Sequence, residues 1–257
     1  MTEALDLQAA ADDLGVHYQT AYRWVRSGQL DARMVGGRYV VGRDDLVAFD
    51  AARRAPMAPR PPSSSRIERS ADRVHDALVA GEEKTVGAIV RKLVDEGSSI
   101  TDLIDSVFAP ALRGIGEAWN DGELPVWAEH RASAITERIF GEFMPNPRGR
   151  RRGTALVASV SGDRHSLPTT MAAVALREDN WHVHHLGSDM PTDDLVGFCT
   201  EHNVTVAAIT VTMPDTAGLA AATAERLRAD GTPTIVGQPG RSLDHLLEHA
   251  RRAAAPK

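Results

Sequence analysis

Asp163 and His165 stand two residues apart in the stretch Val160-Ser-Gly-Asp-Arg-His-Ser-Leu-Pro168. An acid so placed can accept one ring N–H of the imidazole. That fixes the tautomer and raises the basicity of the other ring nitrogen, which is the arrangement of a metal ligand and its support. A solvated histidine in a polar loop accounts for the same residues, and both readings stay open on the loop alone. A second set lies upstream, where Trp119 precedes Glu129-His130 by ten residues in WNDGELPVWAEH. A tryptophan at a helix end, a glycine turn, then an acid and a histidine opening the next helix would point toward one cavity. A core tryptophan and an acid favoured by the helix dipole would give the same pattern.

The elements around these residues follow from periodicity. Residues 67–146 carry apolar side chains at spacings of three and four, among them Val74, Leu78, Val86, Ile89, Val90, Leu93, Leu103, Ile104, Val107, Leu112 and Ile115. This predicts four helices in an antiparallel bundle, the last over 126–143, with Pro110 kinking or interrupting the third. From 153 to 257 short apolar runs alternate with helical patterns: strands at 154–160, 181–186, 204–211 and 234–236, helices at 167–177, 193–202, 217–229 and 243–251. Apolar strands alternating with helices predict a parallel, Rossmann-like sheet. The loop with Asp163 and His165 then falls at the C-terminal end of the first strand, where open α/β sheets bind ligands. The sheet is expected to have four strands or to take its edge from another subunit.

The first 54 residues hold a different pattern. Asp6 is placed to cap a helix over 7–14, Gly15 to make the turn, and a second helix to run over 18–27. That helix buries Ala21, Trp24 and Val25. Tyr18, Gln19, Thr20, Tyr22 and Arg23 are left for base edges in a major groove, and Arg26 for the backbone. A hairpin over 34–41, turning at Gly36-Gly37, offers Arg38 to a phosphate, and a helix over 44–49 packs back. Residues 55–66, APMAPRPPSSSR, read as a Pro/Ser-rich linker. Arg148–Arg152 reads as solvated linker rather than a second DNA contact.

Composition sets limits on what these parts can do. The net charge of −6 argues against bulk nucleic-acid binding, so any DNA contact must come from a local face. A single cysteine, Cys199, excludes an internal disulfide framework and a cysteine zinc site. No stretch approaches the ~20 apolar residues of a membrane span, and the N-terminus lacks a signal pattern. A cytoplasmic protein is expected.

Residues 5–52 resemble the MerR/excisionase type of winged helix-turn-helix, with His17 where that family often has Ser or Thr. The loop of Asp163 and His165 resembles the Asp-x-His-x-x-Gly ligand loop of the B12-binding fold, with Pro168 in place of the glycine. Thr210-Val-Thr212 and Gly237-Gln-Pro-Gly240, at later strand ends, resemble that fold's positions beside the nucleotide tail. The order of the parts, and Trp119 with Glu129 and His130, resemble the B12-dependent, MerR-like photoreceptor regulators. That resemblance implies a multidomain chain: winged helix-turn-helix head, four-helix bundle, and Rossmann-like cobalamin domain. It implies a cobalamin cofactor, adenosylcobalamin above all, with His165 ligating cobalt from below. Trp119, Glu129 and His130 would cover the upper face, and Thr210, Thr212, Gly237 and Gly240 would line the tail. It further implies a repressor of double-stranded DNA, responsive to light, assembling as a homo-oligomer, and no enzyme.

Asn120 stands where light-sensing members often carry a histidine, so a lasting bis-histidine photoproduct is not expected. The alternative is a regulator of the same fold that has lost B12 and answers to another ligand or a protein partner; Pro168, Asn120 and the short C-terminus favour it. A B12 mutase or methyltransferase subunit would need a barrel-sized catalytic domain.

Overall fold

A computed structural model describes residues 4–54, 64–147 and 149–254. The chain forms two compact units, Met1–Ala58 and Pro59–Lys257.

The first unit runs β1 (Ala4–Asp6), α1 (Leu7–Asp13), α2 (Tyr18–Arg26), β2 (Arg33–Val35), β3 (Arg38–Gly42) and α3 (Arg43–Arg54). Asp6 caps α1 by accepting the Ala9 amide at 2.8 Å, a contact of the kind worth about 1 kcal/mol. His17 caps α2 with Nδ1, which accepts the Gln19 amide at 3.3 Å. An imidazole thus fills the place of the expected hydroxyl. β2 and β3 are joined by Gly36 and Gly37 at φ 57° and 79°, the left-handed pair that a two-residue hairpin turn with native twist requires. β1, absent from the sequence reading, pairs antiparallel with β3 and makes the sheet three-stranded. Three residues are too few for an alternation signal. Leu7, Ala10, Leu14, Ala21, Leu30, Val41 and Leu46 form the core, and Trp24 packs on Phe49 at 5.1 Å between ring centres.

The second unit opens with helices α4 (Ser64–Ala80), α5 (Glu83–Asp95), α6 (Ile100–Leu103), α7 (Ala109–Asn120) and α8 (Val126–Glu142). Ser64–Arg66, read in the sequence as the end of the linker, open α4 instead; residues 55–63 lie outside the described residues. The α-helical run is interrupted just before Pro110, as expected, although the chain stays helical. A π-helical turn, Ile104–Phe108, joins α6 to α7 just before it. Proline has no N–H to donate and its ring crowds the carbonyl four residues back. The widened turn absorbs both defects. Leu78, Val90, Leu103, Ile104, Ile115 and Ile135 fill the space between the helices, with Phe108 edge-on to Phe140 at 4.8 Å.

The remainder alternates: β4 (Thr154–Val160), α9 (Ser166–Glu178), β5 (His182–Met190), α10 (Thr192–Glu201), β6 (Val206–Thr210), α11 (Ala217–Ala229), β7 (Thr234–Val236) and α12 (Leu243–Ala253). The sheet is parallel with order β5-β4-β6-β7. Side chains of a strand alternate between faces, and β4 uses both. Ala155 and Val157 face Trp181 and Leu176, while Leu156, Ala158 and Val160 face Leu195 and Leu227. Burial on both sides explains why β4 reads as one continuous apolar run.

Two long-range contacts seat the helical layer on the sheet domain. Glu178, at the end of α9, accepts the amides of Ile100 and Thr101 at 2.8 Å each and the Thr101 hydroxyl at 2.6 Å. A carboxylate there answers the unpaired amides and the positive end of α6. Asp105, in the π-helical turn, accepts the Leu243 amide at the start of α12 at 2.9 Å.

Candidate functional site

The order β5-β4-β6-β7 places the first strand between the second and third, so the chain reverses its direction of winding between β4 and β6. Loops leaving two such strands part to opposite faces and open a crevice at their C-terminal ends. Register brings the loops level, because Ser159 is opposite Thr210, and Ile209 is opposite Val236. The loop of Asp163, the segment Thr210–Thr212 and the turn Gly237–Gly240 therefore share one edge.

Asp163 is fully buried and its carboxylate is used on both oxygens. Oδ1 meets the His165 ring at Nδ1, 2.9 Å away, and accepts the His165 amide at 3.2 Å. Oδ2 accepts the Thr212 amide at 2.6 Å. Burial pushes this carboxyl upward. The Thr212 amide, the His165 ring and the amides of His165 and Met213 together outweigh it and hold the group below the usual carboxylate range. An ionised Asp163 takes a proton bond from Nδ1, so His165 keeps its proton there and Nε2 keeps a free lone pair. The His165 side chain is half-exposed, and among the described residues nothing bonds Nε2. The loop itself is tied down. The Ser159 hydroxyl donates to the Asp163 carbonyl at 2.7 Å, and the Gly162 amide donates to Asp189 at 2.7 Å. Gly162 has φ 91°, which only glycine adopts freely.

Beside this loop a cleft of about 430 Å³ runs between the helical layer and the strand ends. Thr210, Thr212, Gly237 and Gly240 line it, as does Pro168 in the first turn of α9. Its walls are apolar, with Ile104, Met171, Ala172 and Ile235, and carry Arg113 and Arg241. The Thr210 hydroxyl is buried with no partner among the described residues. Thr212 contributes its amide to Asp163, a role the sequence did not reveal. Asp105, Arg113, Arg241 and His245 also line the cleft and were missed. Asp105 and Arg113 come from segments remote in sequence from Arg241 and His245, which no local pattern brings together. Asp105 is pushed upward by burial, against the Leu243 amide that lowers it.

Trp119, Glu129 and His130 lie outside this cleft, and no hydrogen bond joins them to His165 among the described residues. Trp119 is 48% exposed. Glu129 is engaged on its own helix, accepting the Ser133 hydroxyl at 2.9 Å and meeting His130 Nδ1 at 2.7 Å. Those near neighbours satisfy the carboxylate locally.

The arrangement suits a metal carried by a macrocycle better than a bare ion. Among the described residues no group of three or more His, Cys, Asp or Glu could hold a metal. One oriented imidazole is enough where other ligands come with the group. Burial pushes the Cys199 thiol up to about 11, against a hydrogen bond from Thr232 that lowers it, so it stays a neutral core residue. The oriented His165, the orphaned hydroxyl of Thr210 and the apolar cleft fit a corrin ring with a nucleotide tail.

In the first unit, Gln19, Tyr22, Arg23, Arg26 and Arg38 are exposed, while Tyr18 and Thr20 are half-buried. Tyr18 packs on the core and stacks on Tyr22 at 6.2 Å, and Tyr22 meets Tyr39 edge-on at 5.9 Å. The polar face of α2 and the hairpin thus carry the exposed cations Arg23, Arg26 and Arg38.

These parts define a composition: a helix-turn-helix domain joined to B12-binding domains. Residues 4–54 match a helix-turn-helix domain family, 70–142 one family of B12-binding domain and 153–254 another. Among particular relatives, the HTH-type transcriptional repressor CarH of Myxococcus xanthus is 35% identical over 92 residues, which cover 35% of this chain and 30% of that one. A corrinoid protein of Desulfitobacterium hafniense (strain Y51) is 23% identical over 136 residues, 51% of this chain and 63% of that one. The chain thus spans less than two thirds of either relative. The structure of the Methanosarcina barkeri monomethylamine corrinoid protein superposes with a TM-score of 0.56 at 16% identity, covering 75% of this chain and 97% of that one. This likeness is one of fold. No helix among the described residues is long and apolar enough to cross a membrane.

Proposed function

We propose that this chain is a transcriptional repressor whose assembly and DNA binding are controlled by adenosylcobalamin and released by light. The observation that carries the reading is the buried Asp163 holding His165 with Nε2 free at the switch point of the sheet. His165 would be the lower ligand of cobalt. Thr210, Gly237 and Gly240 would take the nucleotide tail, with the Thr210 hydroxyl gaining the partner it lacks. The corrin would supply a cobalt–alkyl bond that light can cleave. The four-helix bundle would then read the upper face through Trp119, Glu129 and His130, after a shift that turns these residues inward. The head, a winged helix-turn-helix with the β2–β3 hairpin as its wing, would place α2 in a major groove. Its few cations give a single head little affinity, so several heads must act together. A regulator gains that control by coupling ligand to assembly. The likeness to CarH and the helix-turn-helix domain favour a regulator over an enzyme.

A second reading has its own observation. Pro168 occupies the first turn of α9 beside the cleft, and Trp119 is half-exposed and does not line it, as suits a regulator that no longer takes B12. One experiment separates the two. The protein is mixed with adenosylcobalamin in the dark, separated by sizing chromatography, and measured again after green illumination, with DNA binding followed in parallel. A red, larger species that binds DNA in the dark and falls apart in light is the expected result. The same colourless oligomer under every condition supports the second reading.

A further inference from the structure

Three basic residues on α4, Arg66, Arg69 and Arg73, are spaced by three and four, and two on α5, Lys84 and Lys92, by eight. Both spacings keep side chains on one helix face. Because α4 and α5 pack together, the two faces border one groove of about 730 Å³, floored by Ile89. No acidic residue lines it, although the whole chain carries a net charge of −6. Arg66 is paired with Glu96 at 2.5 Å. Arg73, Lys84 and Lys92 are exposed and have no ion-pair partner among the described residues. Like charges held close without partners repel one another, a cost that an anion would offset. The groove shares no residue with the cleft at the sheet edge.

We propose that this groove is a second DNA contact, taking the sugar–phosphate backbone of double-stranded DNA. The inference rests on the DNA-binding reading above. The form of the charge favours a duplex over a single small phosphate. Lys84 and Lys92 lie two helical turns apart, about 12 Å along α5, and a DNA strand offers a phosphate every ~3.4 Å of axis. Lysines and arginines on an open wall suit a repeated charge and carry no base readout. Tethering adds to the effect. Only residues 55–63 separate α3 from α4, so a duplex held by the head is presented to the rest of the same chain at high effective concentration. The backbone contact supplies affinity that the head lacks and leaves sequence choice to α2.

The test uses the full chain and a random-sequence duplex of about 30 base pairs, with affinity measured from roughly 50 to 200 mM salt. A variant carrying Arg73→Gln, Lys84→Gln and Lys92→Gln is compared with the unaltered protein. Each lost phosphate contact shallows the slope of log K against log[salt] by about 0.9, so a change of about 2 to 3 is expected. Lys84→Arg with Lys92→Arg retains the charge and should restore the original slope. If the triple variant melts early, Lys92→Gln alone should still shallow the slope by about 0.9. An unchanged slope in a protein that binds the duplex overturns the groove and leaves the head's role standing. Loss of self-association at an unchanged slope overturns it in favour of an interface between copies. If the unaltered chain binds no duplex at all, the DNA reading falls and this inference with it.

Discussion

At the scale of single residues, the site turns on one carboxylate with four obligations. Asp163 holds the His165 ring, the His165 amide, the Thr212 amide and, at 3.5 Å, the Met213 amide. His165→Ala should abolish most cobalamin binding, and Asp163→Asn should weaken it by about 10–100-fold, as losses of a supporting residue behind a metal ligand do. Titration of the visible spectrum checks both; a His165→Ala protein that keeps cobalamin with an unchanged spectrum removes the assignment. The same carboxylate sets acid stability. Its folded pKa is depressed, so its contribution is fully present above the ordinary Asp value and is lost as pH falls through the folded value. Urea midpoints should therefore fall below about pH 4, and should fall less steeply in Asp163→Asn. Thr210 gives a trade-off. A buried hydroxyl without a partner costs roughly 1–3 kcal/mol, so Thr210→Val should melt later in the absence of cobalamin and bind it more weakly. Joint loss of stability and affinity would instead mark Thr210 as a packing residue. The pairing of Asp163 with His165 was legible because it is local, two residues in one loop. The Thr212 amide was not, because it reaches the carboxylate from 49 residues away through the register of β4 and β6.

At the scale of elements, periodicity located most helices and strands, and the misses have physical causes. β4 read correctly because both its faces are buried. β1 did not, because a three-residue strand carries no period. Pro110 was expected to kink or interrupt its helix, and the interruption takes the form of one wide turn after which the helix continues. That turn also aims Asp105 at α12, which no local pattern announces. Trp119, Glu129 and His130 illustrate the limit of spacing as evidence. Ten residues across a helix end, a turn and a helix start fix a neighbourhood but not a direction, and Ser133 and His130 compete for the carboxylate. The junction of α6 and α9 makes a prediction of its own. Glu178→Ala leaves two amides and a hydroxyl at a helix start without their acceptor, in a partly buried place. The expected loss is about 2–3 kcal/mol in urea unfolding, with Glu178→Gln losing less. A loss within about 0.5 kcal/mol, the range of ordinary surface changes, would show that water replaces the carboxylate.

At the scale of the whole molecule, the proposed function asks an acidic chain to reach a polyanion. Exposed Arg23, Arg26 and Arg38 in the head would be the local answer. On that reading Arg38, at the hairpin, would meet phosphate rather than base. Arg38→Ala should weaken binding to every duplex alike and shallow the salt slope by about one. A change confined to one sequence would make Arg38 a reader of bases. On the same reading the affinity left to a single head would be small enough for assembly to decide occupancy, and a ligand that controls assembly would be an effective switch.

The bond between Asp105 and the Leu243 amide, 138 residues apart, has a consequence in time. A ribosome adding about 5–20 residues per second delivers the acceptor roughly 7–30 s before its donor. Until α9 is made, part-way through that interval, the helical layer lacks Leu167, Met171 and Val174, which pack against it. Its apolar face is then a nascent surface, open to chaperones and to neighbouring chains on the same message. The cleft is lined in part by Arg241, Leu243 and His245, so a ligand has no complete cleft to enter until the start of α12 has been made.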